Sequence, residues 1–152
     1  MKKLWILFLA LCILLFGCAP TQRDTATALH EFAAAYGTLP TGDFYSTENG
    51  SIEMARVLRL YDPDGHLSAG KLLSASLYLG SSFDEVFEIA VFDCAGSNAA
   101  LEMAELCHRR ATLLKSFDKD LEYTVIRYGE ILFFAVMPSV GGVSKIANSV
   151  FQ

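Results

Sequence analysis

Tyr128-Gly129-Glu130-Ile131-Leu132-Phe133-Phe134-Ala135-Val136-Met137-Pro138 is the stretch on which the fold turns. From Glu130 to Met137 the residues are apolar at both parities, which fits a central strand buried on both faces. Pro138 stops it. Before it, Tyr128-Gly129 reads as a two-residue turn, with Gly129 able to adopt positive φ. Leu121 to Arg127 reads as the strand that the turn folds back, so this stretch predicts an antiparallel hairpin.

Working outward, Val86 to Cys94 is apolar on both faces and reads as a second central strand. Leu73, Ala75, Leu77 and Leu79 alternate with Ser74, Ser76 and Tyr78, as in a strand with one buried face. Gly80 to Glu85 joins these two as a loop. Gly96 breaks the chain after Cys94, and Ser97 or Asn98 can cap a helix running to about Lys115. Ala100, Met103, Ala104, Cys107, Ala111 and Leu114 form its buried stripe, and Glu105 with Arg109 makes an i,i+4 pair on its wet face. A last helix spans Gly141 to Phe151, with Val143, Ile146, Ala147 and Val150 on one face.

Upstream, Ala26, Leu29, Phe32, Ala33 and Tyr36 recur at helical spacing over Thr25 to Tyr36, and Gly37 and Pro40 end that helix. Thr41 to Gly50 is rich in Gly, Ser, Thr, Asp and Asn and reads as a loop. A short helix starts at Ser51 with Ile52, Ala55 and Leu58 on one face and Tyr61 beyond. Asp62-Pro63-Asp64-Gly65 is a turn. The expected fold is α+β: an antiparallel sheet of about four strands in ββαββα order, with helices on at least one face, preceded by two short helices.

The first seventeen residues differ from the rest. Lys2 and Lys3 precede an unbroken apolar run from Leu4 to Phe16, followed by Gly17 and Cys18. That run makes only about 20 Å of helix, too short for a bilayer core of about 30 Å, and the arrangement is that of a secretory signal. Leu15-Phe16-Gly17-Cys18 resembles the lipobox of bacterial lipoproteins, with Phe16 standing where Ala, Ser or Thr is usual. The resemblance implies diacylglycerol on Cys18, signal-peptidase recognition of Leu15, Phe16 and Gly17, and cleavage after Gly17. An ordinary secretory signal or an uncleaved anchor are the alternatives. Cys12 follows bulky Leu11 and is a poor acceptor. The expected organisation is a signal peptide at 1–17, a lipidated tether at 18–24 and one domain at 25–152. Two or more acyl chains anchor a protein stably, so no transmembrane helix is required.

Removing the signal leaves ten basic residues against seventeen acidic ones, a net charge of −7. Such a domain gains nothing from nucleic acid or anionic headgroups, and no nucleic-acid partner is expected. Cys94 and Cys107 are then the only cysteines left to pair. Cys107 falls about 13 Å along the helix from its start, beyond the roughly 7 Å a disulfide allows, so two buried free thiols are expected.

Several stretches resemble a family of bacterial lipoproteins catalogued as domain of unknown function 4358. The resemblance lies in Leu77-Tyr78-Leu79-Gly80, in Glu88-Ile89-Ala90-Val91-Phe92, in the helix ending Arg109-Arg110, and in Tyr128-Gly129 before an apolar strand. It covers roughly Leu29 to Phe151. It implies a membrane-anchored extracytoplasmic protein and brings no activity, substrate or catalytic residue.

Candidate chemistry is sparse. None of His30, His66 and His108 lies at i,i+4 from another His, no Cys/His spacing suggests a metal, and no cofactor is implied. Asp62 and Asp64 are spaced like the first ligands of a calcium loop, but Pro63 and the early Gly65 spoil it. Asp84, Glu85 and Glu88 form a small acidic cluster expected to be solvated. Gly141-Gly142 initiates a helix, and Ser139 and Ser144 lack a nucleophile motif. Arg109 and Arg110 are the most informative polar pair. One can lie beside the sheet while the other faces water, and the inward one would pair with a carboxylate or mark a ligand groove. The expected role is a non-enzymatic domain binding an envelope component or protein, with small-molecule binding as the alternative.

Overall fold

Nine elements follow one another in the computed structural model, which describes residues 24–68, 70–80 and 86–152. They are α1 (Thr25–Tyr36), β1 (Gly42–Ser46), α2 (Met54–Tyr61), β2 (Leu72–Gly80), β3 (Glu88–Cys94), α3 (Ser97–Phe117), β4 (Glu122–Tyr128), β5 (Ile131–Met137) and α4 (Val143–Phe151). The strands form one antiparallel sheet in the order β1-β2-β3-β5-β4. The chain is therefore α+β, with five strands rather than about four.

β3 and β5 occupy interior positions, as their apolar sequences require. All seven residues of β3 are buried, and so are Leu132 to Met137 of β5. Their alternate residues feed two separate cores. Ala90, Phe92, Leu132 and Phe134 pack with Val57 and Tyr61 of α2 and Met103, Cys107 and Ala111 of α3. Ile89, Val91, Phe133 and Ala135 pack with Leu29 and Phe32 of α1 and Val143 and Ala147 of α4. Helices thus cover both faces of the sheet. Each large apolar side chain fully buried in this way contributes about 1.5–3 kcal/mol.

Four local expectations are corrected. First, Gly42–Ser46 is a strand inside the segment read as a loop. Gly42 permits this, because a Cβ there would sit 2.5 Å from the Leu79 carbonyl oxygen and 2.8 Å from the Tyr78 ring. Second, Leu73 is 53% exposed and Leu72 is buried in its place. The register slips between Leu72 and Ser74, so the bulge reverses the alternation expected at the start of β2. Third, α2 begins at Met54 and buries Val57 and Tyr61, while Ala55 is exposed. Fourth, the hairpin loop is Gly129-Glu130, one residue later than expected, since Tyr128 pairs with Ile131; Gly129 takes φ 67°.

Helix ends also follow local chemistry. Asp24 accepts a hydrogen bond from Thr27 N at 2.6 Å and caps α1. The Glu48 carboxylate accepts from Thr25 N at 3.2 Å and Ala26 N at 3.1 Å, placing negative charge at the same helix start. Behind it, the Thr25, Ser76 and Ser46 hydroxyls form a buried chain with 2.9 Å steps. α3 starts at Ser97 with Gly96 in the cap position and no side-chain cap, so neither Ser97 nor Asn98 performs that role. α4 starts at Val143, with Gly142 in the left-handed region at φ 81°.

Candidate functional site

The two adjacent arginines of α3 separate as helical geometry demands. Arg109 is exposed and makes no ion pair with Glu105 among the described residues. Arg110 points toward the sheet, three residues from Cys107 and four from Leu114 on the buried stripe. Its Nη2 donates to Glu88 Oε2 at 2.8 Å and its Nε to the same oxygen at 3.2 Å. Glu88 opens the central strand β3, in register with Leu79 on one side and Val136 on the other. Its side chain is only 4% exposed, against 16% for Arg110. The expectation that Glu88 is solvated is therefore wrong: its strand neighbours and α3 enclose it, and Arg110 supplies the neutralising charge. Asp84 and Glu85 lie outside the described residues.

Tyr61, the last residue of α2, completes the cluster by donating its hydroxyl to Glu88 Oε1 at 2.5 Å. Its ring meets Phe92 and Phe134 edge-on at 4.9 and 5.9 Å. The sequence marks Glu88 only as part of an acidic cluster and Tyr61 only as a helical position. The available signals were a carboxylate inside an otherwise apolar strand and an arginine at stripe spacing on the facing helix.

This cluster is electrostatically closed. Burial and the Glu88 charge push the Tyr61 hydroxyl well above its usual range, so it stays a donor. Burial, then Glu88, likewise pushes up the nearby Cys107 thiol, which makes it a poor nucleophile. For Arg110 burial works downward, but the Glu88 carboxylate outweighs it and the net displacement is upward. The three groups tie α2 and α3 to the middle of the sheet. A buried pair of this kind is valuable chiefly because losing one partner strands the other.

Beside it, Asp62 is 5% exposed and organises the turn after α2. Its carboxylate accepts from Leu67 N at 2.6 Å and His66 N at 2.9 Å, with His66 Nδ1 at 3.1 Å. A cleft of about 110 Å³ between α2 and α3 is lined by Leu60, Asp62, His66, Arg109, Arg110 and Leu113, among others. An adjoining one of about 230 Å³ shares His66 and Arg109.

The remaining candidates are dispersed. His30 is exposed, donates Nδ1–H to the Ala26 carbonyl at 2.7 Å and stacks on Phe44 at 4.4 Å. His108 is exposed and lies edge-on to Tyr123 at 5.7 Å. Ser139 accepts from Gly141 N at 3.4 Å, and Ser144 is exposed. Among the described residues no group of three or more His, Cys, Asp or Glu side chains could hold a metal ion. Cys94 and Cys107 are both buried and unbridged. Leu15, Phe16, Gly17 and Cys18 lie outside the described residues, and no described helix is long and apolar enough to cross a membrane.

No family model, curated protein or solved structure matches this chain.

Proposed function

We propose that this protein is a lipoprotein held on the extracytoplasmic face of the cell membrane by lipid on Cys18, where it serves as a non-enzymatic interaction domain for an envelope protein or component. The observation that carries the reading is the short distance from lipobox to domain. Asp24 already caps α1, so only six residue steps separate it from Cys18. Fully extended, they reach at most about 22 Å. A domain so tethered meets partners at or near the membrane surface. The resemblance to the domain of unknown function 4358 family supports the same address.

The interaction reading is favoured by the chemistry of the interior. The Glu88–Arg110–Tyr61 cluster satisfies itself, and its tyrosine and the adjacent Cys107 are held protonated by burial. Cross-linking of the lipidated full-length chain in intact membranes should recover a reproducible envelope partner. No partner, together with turnover of a substrate by the purified chain, would overturn the proposal.

A second reading, small-molecule binding, draws on the Arg109- and Arg110-lined cleft between α2 and α3. Its roughly 110 Å³, and the 230 Å³ of its neighbour, fall below the 300–1,000 Å³ usual for small-molecule sites. A thermal shift with a metabolite, abolished by Arg109→Ala, would favour this second reading.

A further inference from the structure

The sheet has two edges, and the chain treats them differently. At β1 the edge is short and is closed at its Ser46 end. The Ser51 hydroxyl donates to the Ser46 carbonyl at 3.3 Å and accepts from Ser46 N at 2.7 Å, using both outward backbone groups of that residue. Both edges carry charge, Asp43 on the five-residue β1 and Glu122 and Arg127 on β4. At β4 the edge is seven residues long, pairs with β5 without a register shift, and contains no proline. Edges of this kind invite another strand unless something blocks them.

Which backbone groups face outward follows from the hairpin. Tyr128 and Ile131 close the two-residue loop and form the hydrogen-bonded pair. Alternation then turns the N–H and C=O groups of Glu122, Thr124, Ile126 and Tyr128 toward β5, and those of Tyr123, Val125 and Arg127 outward. Among the described residues no hydrogen bond covers these three. Tyr123 is 36% exposed and Arg127 is exposed.

We infer that β4 pairs antiparallel with β4 of a second copy of this chain, about a twofold axis through Val125. A twofold axis normal to the sheet keeps each side chain on its own face, so residues of like parity must stand opposite one another. Centring on Val125 puts Tyr123 opposite Arg127 of the second copy, Arg127 opposite its Tyr123, and Val125 opposite its Val125. All three outward residues are then used in hydrogen-bonded pairs, giving about six inter-strand bonds. Shifting the centre to Thr124 or Ile126 moves one end of the outward set past the strand and loses bonds. The side chains agree with this register. Each Arg127 comes beside a Tyr123 ring that Lys115 of its own copy already approaches at 5.9 Å and His108 meets edge-on at 5.7 Å, no like charges stand directly opposite across the strands, and the β-branched valines meet at the axis. The result is a continuous ten-stranded sheet with α3 of both copies on one face. The inference goes beyond the anchoring proposal and does not depend on it.

The test uses the full-length chain in detergent, with protein mass measured by light scattering. The parent chain should run as twice its own mass. Val125→Cys should cross-link to itself on mild oxidation, because opposed hydrogen-bonded residues lie about 5.5 Å apart, within disulfide range. Thr124→Cys should not, since each Thr124 would stand opposite Ile126 of the second copy and its two copies would be offset diagonally by about 7–8 Å. The parent chain, oxidised alongside, accounts for its own cysteines. Arg127→Pro removes an outward N–H at an edge position that tolerates proline, and should return the chain to monomer with unchanged circular dichroism. If that variant does not fold, Arg127→Glu should weaken association by roughly tenfold through its two symmetry-related pairs. A monomeric parent would overturn the inference. So would a dimer indifferent to both Arg127 variants, cross-linking at Thr124→Cys rather than Val125→Cys, or a β4 edge that captures a different protein while the chain stays monomeric.

Discussion

Arg110→Met tests whether the buried cluster holds the helices to the sheet. Methionine keeps much of the apolar stem of arginine and removes the guanidinium. Glu88 then loses two of its three donors and its counter-charge, keeping only the Tyr61 hydroxyl. Breaking a buried ion pair by removing one partner costs about 3–5 kcal/mol. Arg110 is 16% exposed, so some water reaches its end of the pair, and the lower part of that range, about 3 kcal/mol, applies. That is a large share of the roughly 5–15 kcal/mol that stabilises a domain, and corresponds to a fall in Tm of roughly 10 °C. Urea unfolding read by circular dichroism gives the loss, provided the slope with denaturant is unchanged. Adding Glu88→Gln to Arg110→Met removes the stranded charge and should restore at least about 1 kcal/mol. A loss below about 1 kcal/mol for Arg110→Met, or no recovery in the double variant, would refute the clamp.

Three further outcomes follow from the same physics. Burial works to raise the Asp62 pKa, but the N–H groups of Leu67 and His66 outweigh it and hold the carboxyl below its ordinary value. A depressed folded-state pKa gives stability that is complete above the unfolded value and lost as pH falls through the folded one. Melting temperature should therefore drop below about pH 4, and Asp62→Asn should flatten that limb of the profile. Burial and the nearby Asp93 charge push the Cys94 thiol up to about 12, and Cys107 is also pushed well up. Neither should react with an alkylating reagent at neutral pH until the chain unfolds, as peptide mass spectrometry of native and urea-treated samples would reveal. Gly42→Ala forces a methyl against the Leu79 carbonyl and the Tyr78 ring, and should cost about 1–3 kcal/mol in urea unfolding by displacing β1.

The interior of the fold was legible because its signals are redundant. Val86–Cys94 and Glu130–Met137 are apolar at both parities, and only interior strands of a sheet covered on both faces bury such residues throughout. The helical stripe of α3 was equally clear, since most of its members meet the sheet. Failures cluster where a local geometry overrides the pattern. β1 joins the strand-forming pair Phe44-Tyr45 to Gly42, Asp43 and Ser46, which usually mark loops, and the close approach of Gly42 to β2 admits it to the sheet. The bulge at Leu73 inverts a parity that simple alternation cannot anticipate. The site suffers the same limitation. Arg109 and Arg110 could be divided into one inward and one outward side chain from helical spacing alone. That the inward one meets Glu88 depends on which strand lies beneath α3, a tertiary fact. Tyr61 joins them because α2 buries Val57 and Tyr61 rather than the face containing Ala55.

Whether lipid on Cys18 holds the protein to its membrane can be read from the intact mass of the protein extracted from that membrane. The predicted species lacks residues 1–17, carries diacylglycerol mass on Cys18, and disappears from the membrane fraction in Cys18→Ala. A membrane-retained chain with residues 1–17 still present and Cys18 unmodified would mean that an uncleaved signal, not lipid, anchors the protein.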